Sequence, residues 1–78
     1  MTRSIGKRIA KKREEKGWSR YKLAKESGVS TSYIRPIEED RHSPSLDVLI
    51  KISTVLDVSI DYLVEESKVT ITESGGNL

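Results

Sequence analysis

The chain has 78 residues, with 14 Lys/Arg against 12 Asp/Glu, one His and no Cys. That length makes one small domain with a compact core, and the lack of cysteine excludes disulfides and thiolate metal sites. The net charge of +2 hides an asymmetry: residues 1–25 hold ten Lys/Arg and two Glu, and the remainder holds four Lys/Arg and ten Asp/Glu, so a polyanion partner is expected at the basic end.

The apolar pattern is helical almost throughout. Ile5, Ile9 and Ala10 make one stripe, and Gly17 ends that helix, predicted over 4–16. In WSRYKLAKESG, Ser19 is a good N-cap, and Trp18 with Leu23 has the spacing of a hydrophobic staple. Gly28 ends this second helix, predicted over 20–27. The device repeats in VSTSYI, with Ser30 as cap and Val29 with Ile34 as staple, giving a helix over 31–39. After Pro44 and Ser45, the segment SLDVLIKISTVLD puts Leu46, Leu49, Ile52, Val55 and Leu56 on helical spacing. It is predicted as the main core helix, over 45–56. VSIDYL repeats the cap and staple with Ser59, Val58 and Leu63, for a last helix over 60–65. In the tail KVTITESGGNL, Val69 and Ile71 alternate with Thr70 and Thr72 as in a strand, whereas SGGN favours a frayed end. The expected organisation is a domain over 1–66 and a tail over 67–78, either flexible or a short dimerisation strand.

The second and third helices are joined by about three residues that include Gly28, the spacing of a helix-turn-helix. If Val29, Ile34 and Ile37 anchor the third helix, then Thr31, Ser32, Arg35, Pro36 and Glu39 face outward, where base edges would lie. The helix starts at Ser19 and Ser30 offer free backbone N–H groups and the positive end of a dipole, which favour phosphate. Arg20, Lys22 and Lys25 add cations nearby.

The segments IGKRIAKKREEKGWS, KLAKESGVSTSYI, IE, SPSLDVLIKIS and LDVSIDYL together resemble the Cro/repressor-type (XRE-like) helix-turn-helix family of bacteria and their phages. The resemblance runs from about Ile5 to Leu63. It implies an all-α, compact five-helix, lambda repressor-like domain that binds double-stranded DNA as a homodimer on a two-fold symmetric operator. Thr31 and Ser32 match the family's base contacts, and Arg35 and Pro36 take later positions that reach bases or backbone. Ser19, Arg20 and Lys22 lie where the family grips a phosphate, and Tyr33, Arg41, His42 and Ser43 where further backbone contacts are usual. Arg13 and Glu38 match a structural pair that ties the first helix to the third. Ile60, Tyr62 and Val64 fall where the family often dimerises, or are ordinary core.

Three departures from the family pattern stand out. Pro36 removes the N–H that would bond the carbonyl of Ser32, at a cost of about 3 kcal/mol in a helix interior. The third helix is therefore expected to kink, or to break and restart, either as a functional bend with an apolar contact to a thymine methyl or as a lesion. Glu39 is expected to repel phosphate. Asp40 and Asp57 stand at helix ends usually closed by Gly, a mild strain.

The leading expectation is a sequence-specific DNA-binding transcriptional regulator, a repressor or a restriction–modification or phage-type controller. The alternative is a protein-interaction module, an antitoxin or anti-repressor, with a blunted reading helix. No nucleophile–base set, phosphate-cradling glycine loop or metal cluster is present, so neither an enzyme nor a cofactor is expected. No apolar run approaches the ~18 residues of a membrane span. The start, MTRSIGKRIAKKR, lacks a signal peptide's apolar stretch. A cytoplasmic location is expected.

Overall fold

The structure, a computed structural model, describes residues 4–64. Among these, five helices follow in order: α1 (Ile5–Glu15), α2 (Arg20–Ser27), α3 (Thr31–Glu38), α4 (Leu46–Leu56) and α5 (Ile60–Leu63). The expected helices agree to within two residues at each end. The tail over 67–78 lies outside the described residues.

Serine hydroxyls start four of the helices. Ser4, Ser19, Ser45 and Ser59 each accept a hydrogen bond from the backbone N–H three residues on, of Lys7, Lys22, Val48 and Tyr62. Each satisfies one of the donors that a helix start leaves unpaired. Ser30 stands at the N-cap position of α3 but its side chain does not cap. Its hydroxyl lies 2.9 Å from that of Ser32, and its carbonyl accepts the Tyr33 N–H in a tight first turn. The side-chain cap expected at Ser30 is absent, because a neighbouring hydroxyl competes for its oxygen.

Helix ends are closed by left-handed residues. After α1, Gly17 has φ 73°, with Gly17 N–H on Glu14 and Trp18 N–H on Arg13. The same paired closure follows α3 at Asp40 (φ 61°) and α4 at Asp57 (φ 60°). Arg41 N–H bonds the Pro36 carbonyl, and Val58 N–H bonds that of Ser53. The two aspartates thus take the conformation that glycine adopts more cheaply. Asp40 gains a second role in that position: its carboxylate accepts the Gly6 N–H at 3.3 Å, near the start of α1.

Pro36 does not break α3, which runs without interruption from Thr31 to Glu38. The expected restart at Pro36 is absent. Packing overrides the local preference: Ile34 and Ile37, on either side of the proline, are fully buried. The carbonyl of Pro36 also anchors the closing bond from Arg41.

The core gathers Ile9, Leu23, Ala24, Val29, Ile34, Ile37, Leu49, Ile52, Leu56 and Leu63. Trp18, Val55, Val58, Tyr62 and Val64 pack on it while half-buried. α2 packs on α3 and α4, and α1 packs on α3, α4 and α5. Leu46 departs from expectation: it is 65% exposed, beside Ile50 at 46%. The buried face of α4 is Leu49, Ile52, Ser53 and Leu56. Helical spacing marks a stripe, but it does not say where the covering neighbours stop.

Gly6 sets the approach of α1 to α3. A Cβ there would come within 3.0 Å of the Ile37 and Glu38 carbonyls and of an Asp40 carboxylate oxygen. Gly6→Ala is therefore expected to destabilise the domain by about 1–3 kcal/mol through overpacking, seen as a fall of several degrees in Tm. Pro36→Ala restores an N–H toward the Ser32 carbonyl and is expected to raise Tm, by up to about 3 kcal/mol of stability. An unchanged Tm would mean that α3 has already relaxed around the ring.

Candidate nucleic-acid interface

The turn Gly28–Val29–Ser30 carries the chain from α2 to α3. Gly28 has φ 80°, and its N–H bonds the Ala24 carbonyl to close α2. Buried Ser27 ties the turn down: its hydroxyl donates to the Leu23 carbonyl at 2.7 Å and accepts the Val29 N–H at 3.3 Å. Val29 is buried, so the turn is anchored on both sides of Gly28.

One buried carboxylate joins three helices. Arg13, in α1, donates to Glu38 through Nε at 2.7 Å and Nη2 at 3.0 Å. Arg20, at the start of α2, donates through Nε at 2.8 Å to the same carboxylate. Arg13 also donates through Nη1 to the Trp18 carbonyl. The Glu38 side chain is 1% exposed and that of Arg13 is 9% exposed. The hydrogen bond from Arg13 to Glu38, working against burial, raises the Arg13 pKa above the ordinary arginine value, so this cation never titrates in practice. The Arg20 side chain, 35% exposed, is drawn toward Glu38 through Nε.

With Ile34, Ile37 and Glu38 inward, α3 turns its other side to solvent. Thr31, Ser32 and Arg35 are exposed and Pro36 is half-buried. Arg35 Nε donates to Glu39 Oε2 at 3.1 Å, and Arg41 Nε donates to Glu39 Oε1 at 3.0 Å. Tyr33 and His42 meet edge to face, with ring centroids 4.8 Å apart. The Tyr33 hydroxyl lies 3.1 Å from His42 Nε2. Ser43 is exposed beyond them.

At the start of α2, the Ser19 hydroxyl is occupied by the Lys22 N–H. Lys22 pairs with Glu26 at 3.1 Å and, with Lys16, lies over the Trp18 ring. Lys25 is exposed. The candidate phosphate residues thus fall in two groups: Ser19, Arg20 and Lys22 before α2, and Tyr33, Arg41, His42 and Ser43 around the end of α3. The exposed arc of α3 carries the candidate base readers. Among the described residues, no cluster of His, Asp and Glu is arranged to hold a metal. The proposed dimer residues Ile60, Tyr62 and Val64 are half-buried. Arg8 and Lys12 stand over the Tyr62 ring, and Arg8 donates to the Tyr62 carbonyl.

Sequence reasoning missed three parts of this arrangement. Arg20 joins Arg13 on Glu38, Glu39 bridges two arginines, and Asp40 caps α1. The i,i+4 spacing of Arg35 and Glu39 was a readable signal for the second. The others join residues far apart in sequence.

The family model described as Helix-turn-helix matches residues 9–63. The chain belongs to the Cro/repressor-type helix-turn-helix family. Its relatives include the HTH-type transcriptional regulator SinR of Bacillus subtilis (strain 168), 45% identical over 67 residues, which are 85% of this chain and 60% of SinR. The chain therefore spans about 60% of the length of this curated relative. Similar solved structures include SinR, described as the master regulator for biofilm formation, in complex with DNA. That structure has a TM-score of 0.74 and 46% identity, over 77% of this chain and 97% of that one. The P22 c2 repressor in complex with a synthetic operator has a TM-score of 0.75 and 32% identity, over 80% and 94% of the two chains. The family is one of DNA-binding regulators.

The buried triad predicts an order of costs. Arg13→Ala or Glu38→Gln is expected to destabilise by about 3 kcal/mol or more, because each strands a buried charge. Arg20→Ala, which removes a part-exposed partner, is expected to cost about 1 kcal/mol. Urea denaturation of the three variants checks the order.

Proposed function

We propose that the chain is the sequence-specific DNA-binding unit of a transcriptional repressor and acts as a homodimer on a two-fold symmetric operator. The observation that carries this reading is the pairing of α2 and α3 across a short, anchored turn, with Thr31, Ser32 and Arg35 exposed on one arc. The likeness to SinR and P22 c2, each solved on DNA, supports it.

The mechanism follows from the geometry. α3 enters the major groove, and α2 lies across its rim with its positive end toward a phosphate. Ser19, Arg20 and Lys22 grip the backbone at that end. Tyr33, Arg41, His42 and Ser43 grip it beyond α3. These contacts fix register, while Thr31, Ser32 and Arg35 read base edges. Pro36 supplies an apolar surface suited to a thymine methyl. Repression is steric, by occupation of the operator. A repressor works where its operator is, and we place the protein in the cytoplasm, with its DNA.

Pro36 and the acidic run of Glu38, Glu39 and Asp40 are the features that favour the protein-interaction alternative, with a blunted reading helix. α3 is unbroken. Each acid of the cluster has a partner: Glu38 holds Arg13 and Arg20, Glu39 holds Arg35 and Arg41, and Asp40 holds the Gly6 N–H.

Selection from a randomised duplex pool is expected to return a two-fold symmetric motif with half-sites about one helical turn apart. Affinity for that motif should fall steeply with salt as phosphate contacts release counterions. Salt-indifferent binding, or no enriched motif, would overturn the reading.

A further inference from the structure

Glu39, the C-cap of α3, continues the outward arc of Ser32, Arg35 and Pro36. A lone carboxylate there would repel the DNA backbone. Instead, its two oxygens divide between two arginines: Oε2 takes Arg35 Nε at 3.1 Å, and Oε1 takes Arg41 through Nε and Nη2, both at 3.0 Å. All three side chains are solvent-facing, at 64%, 38% and 63% exposure for Arg35, Glu39 and Arg41. Desolvation pushes the Glu39 pKa up, but the hydrogen bonds and charges of the two arginines outweigh it and hold the carboxyl below the usual carboxylate range. The trio carries one net positive charge, so the repulsion expected of Glu39 is cancelled locally.

Exposed pairs of this kind add little to stability. Their effect here is on aim. Arg35 is a long side chain with many rotamers, and unrestrained it would swing to the nearest phosphate. With Nε held by Glu39, its two terminal nitrogens remain free at the far end of the guanidinium. Two parallel N–H groups presented end-on match the O6 and N7 acceptors of guanine in the major groove. Glu39, the C-cap of α3, is one helical turn beyond Arg35, within reach of its guanidinium.

We propose that Glu39 is a specificity-determining positioning residue, whose carboxylate holds Arg35 in the orientation that reads one guanine in each half-site. This rests on the DNA-reading function proposed above.

The test is selection from the same randomised duplex pool with the unaltered chain, Glu39→Gln and Arg35→Lys, together with binding to duplex that lacks the motif. Arg35→Lys keeps the charge but loses the fork, and should lose the guanine preference at one base pair per half-site. Glu39→Gln is expected to lose roughly two- to fivefold in discrimination at that same base pair. Its binding to motif-free duplex should strengthen, because one negative charge is gone. Opposite movement of specificity and non-specific affinity is a readout that a merely structural role would not give. If Glu39→Gln keeps the unaltered preference, or loses it evenly at all positions, the role of Glu39 is overturned while the DNA-reading function stands. If the unaltered chain enriches no motif, both fall together.

Discussion

The carboxylate of Glu38 is the constraint on which the rest of the domain depends. A buried ion costs several kcal/mol unless its partners are close and well aimed. Here the partners come from two other helices, Arg13 from α1 and Arg20 from α2. α3 cannot turn about its axis or slide along it without stranding that charge. A rotation of one residue would also exchange Ile34 and Ile37 for polar neighbours. The orientation of α3, and with it the set of side chains offered to a partner, is thus fixed by one acid and two isoleucines. Gly6 sets the remaining distance by letting the start of α1 reach the last carbonyls of α3.

Much of this was legible in the sequence because it is written in local signals. Serine caps, staple pairs and helical spacing located all five described helices, and a short link with Gly28 located the helix-turn-helix. The Arg13–Glu38 contact was available only through resemblance to a family, since residues 25 apart give no local sign of meeting. The other illegible parts have causes of their own. Leu46 has the right spacing for core but lies where no neighbour covers it. Ser30 has the right identity for a cap but spends its hydroxyl on Ser32. Pro36 carries a strong local preference against helix, and the burial of its neighbours outweighs it. For Leu46 and Pro36 tertiary packing decided what local chemistry left open, and for Ser30 a second hydroxyl two residues on did.

The run of acids that closes α3 shows how far composition alone can mislead. Read as a block, Glu38, Glu39 and Asp40 look like a patch of negative charge hostile to DNA. In the fold they point three ways and do three jobs. Glu38 locks α3 to α1 and α2, Glu39 gathers two exposed arginines, and Asp40 turns the chain and holds the start of α1. Their charges are spent on neighbours before they reach the surface potential.

The clasp between Gly6 and Asp40 also has a meaning in time. It joins residues 34 apart, and the bond from Arg8 to the Tyr62 carbonyl joins residues 54 apart. On a ribosome, α1 emerges first but has nothing to dock on until the end of α3 is made. Arg13 and Arg20 are both waiting when Glu38 appears, so the acid meets its cations as soon as it can be buried. The charge that is costly to bury thus enters the chain after both of the cations that neutralise it.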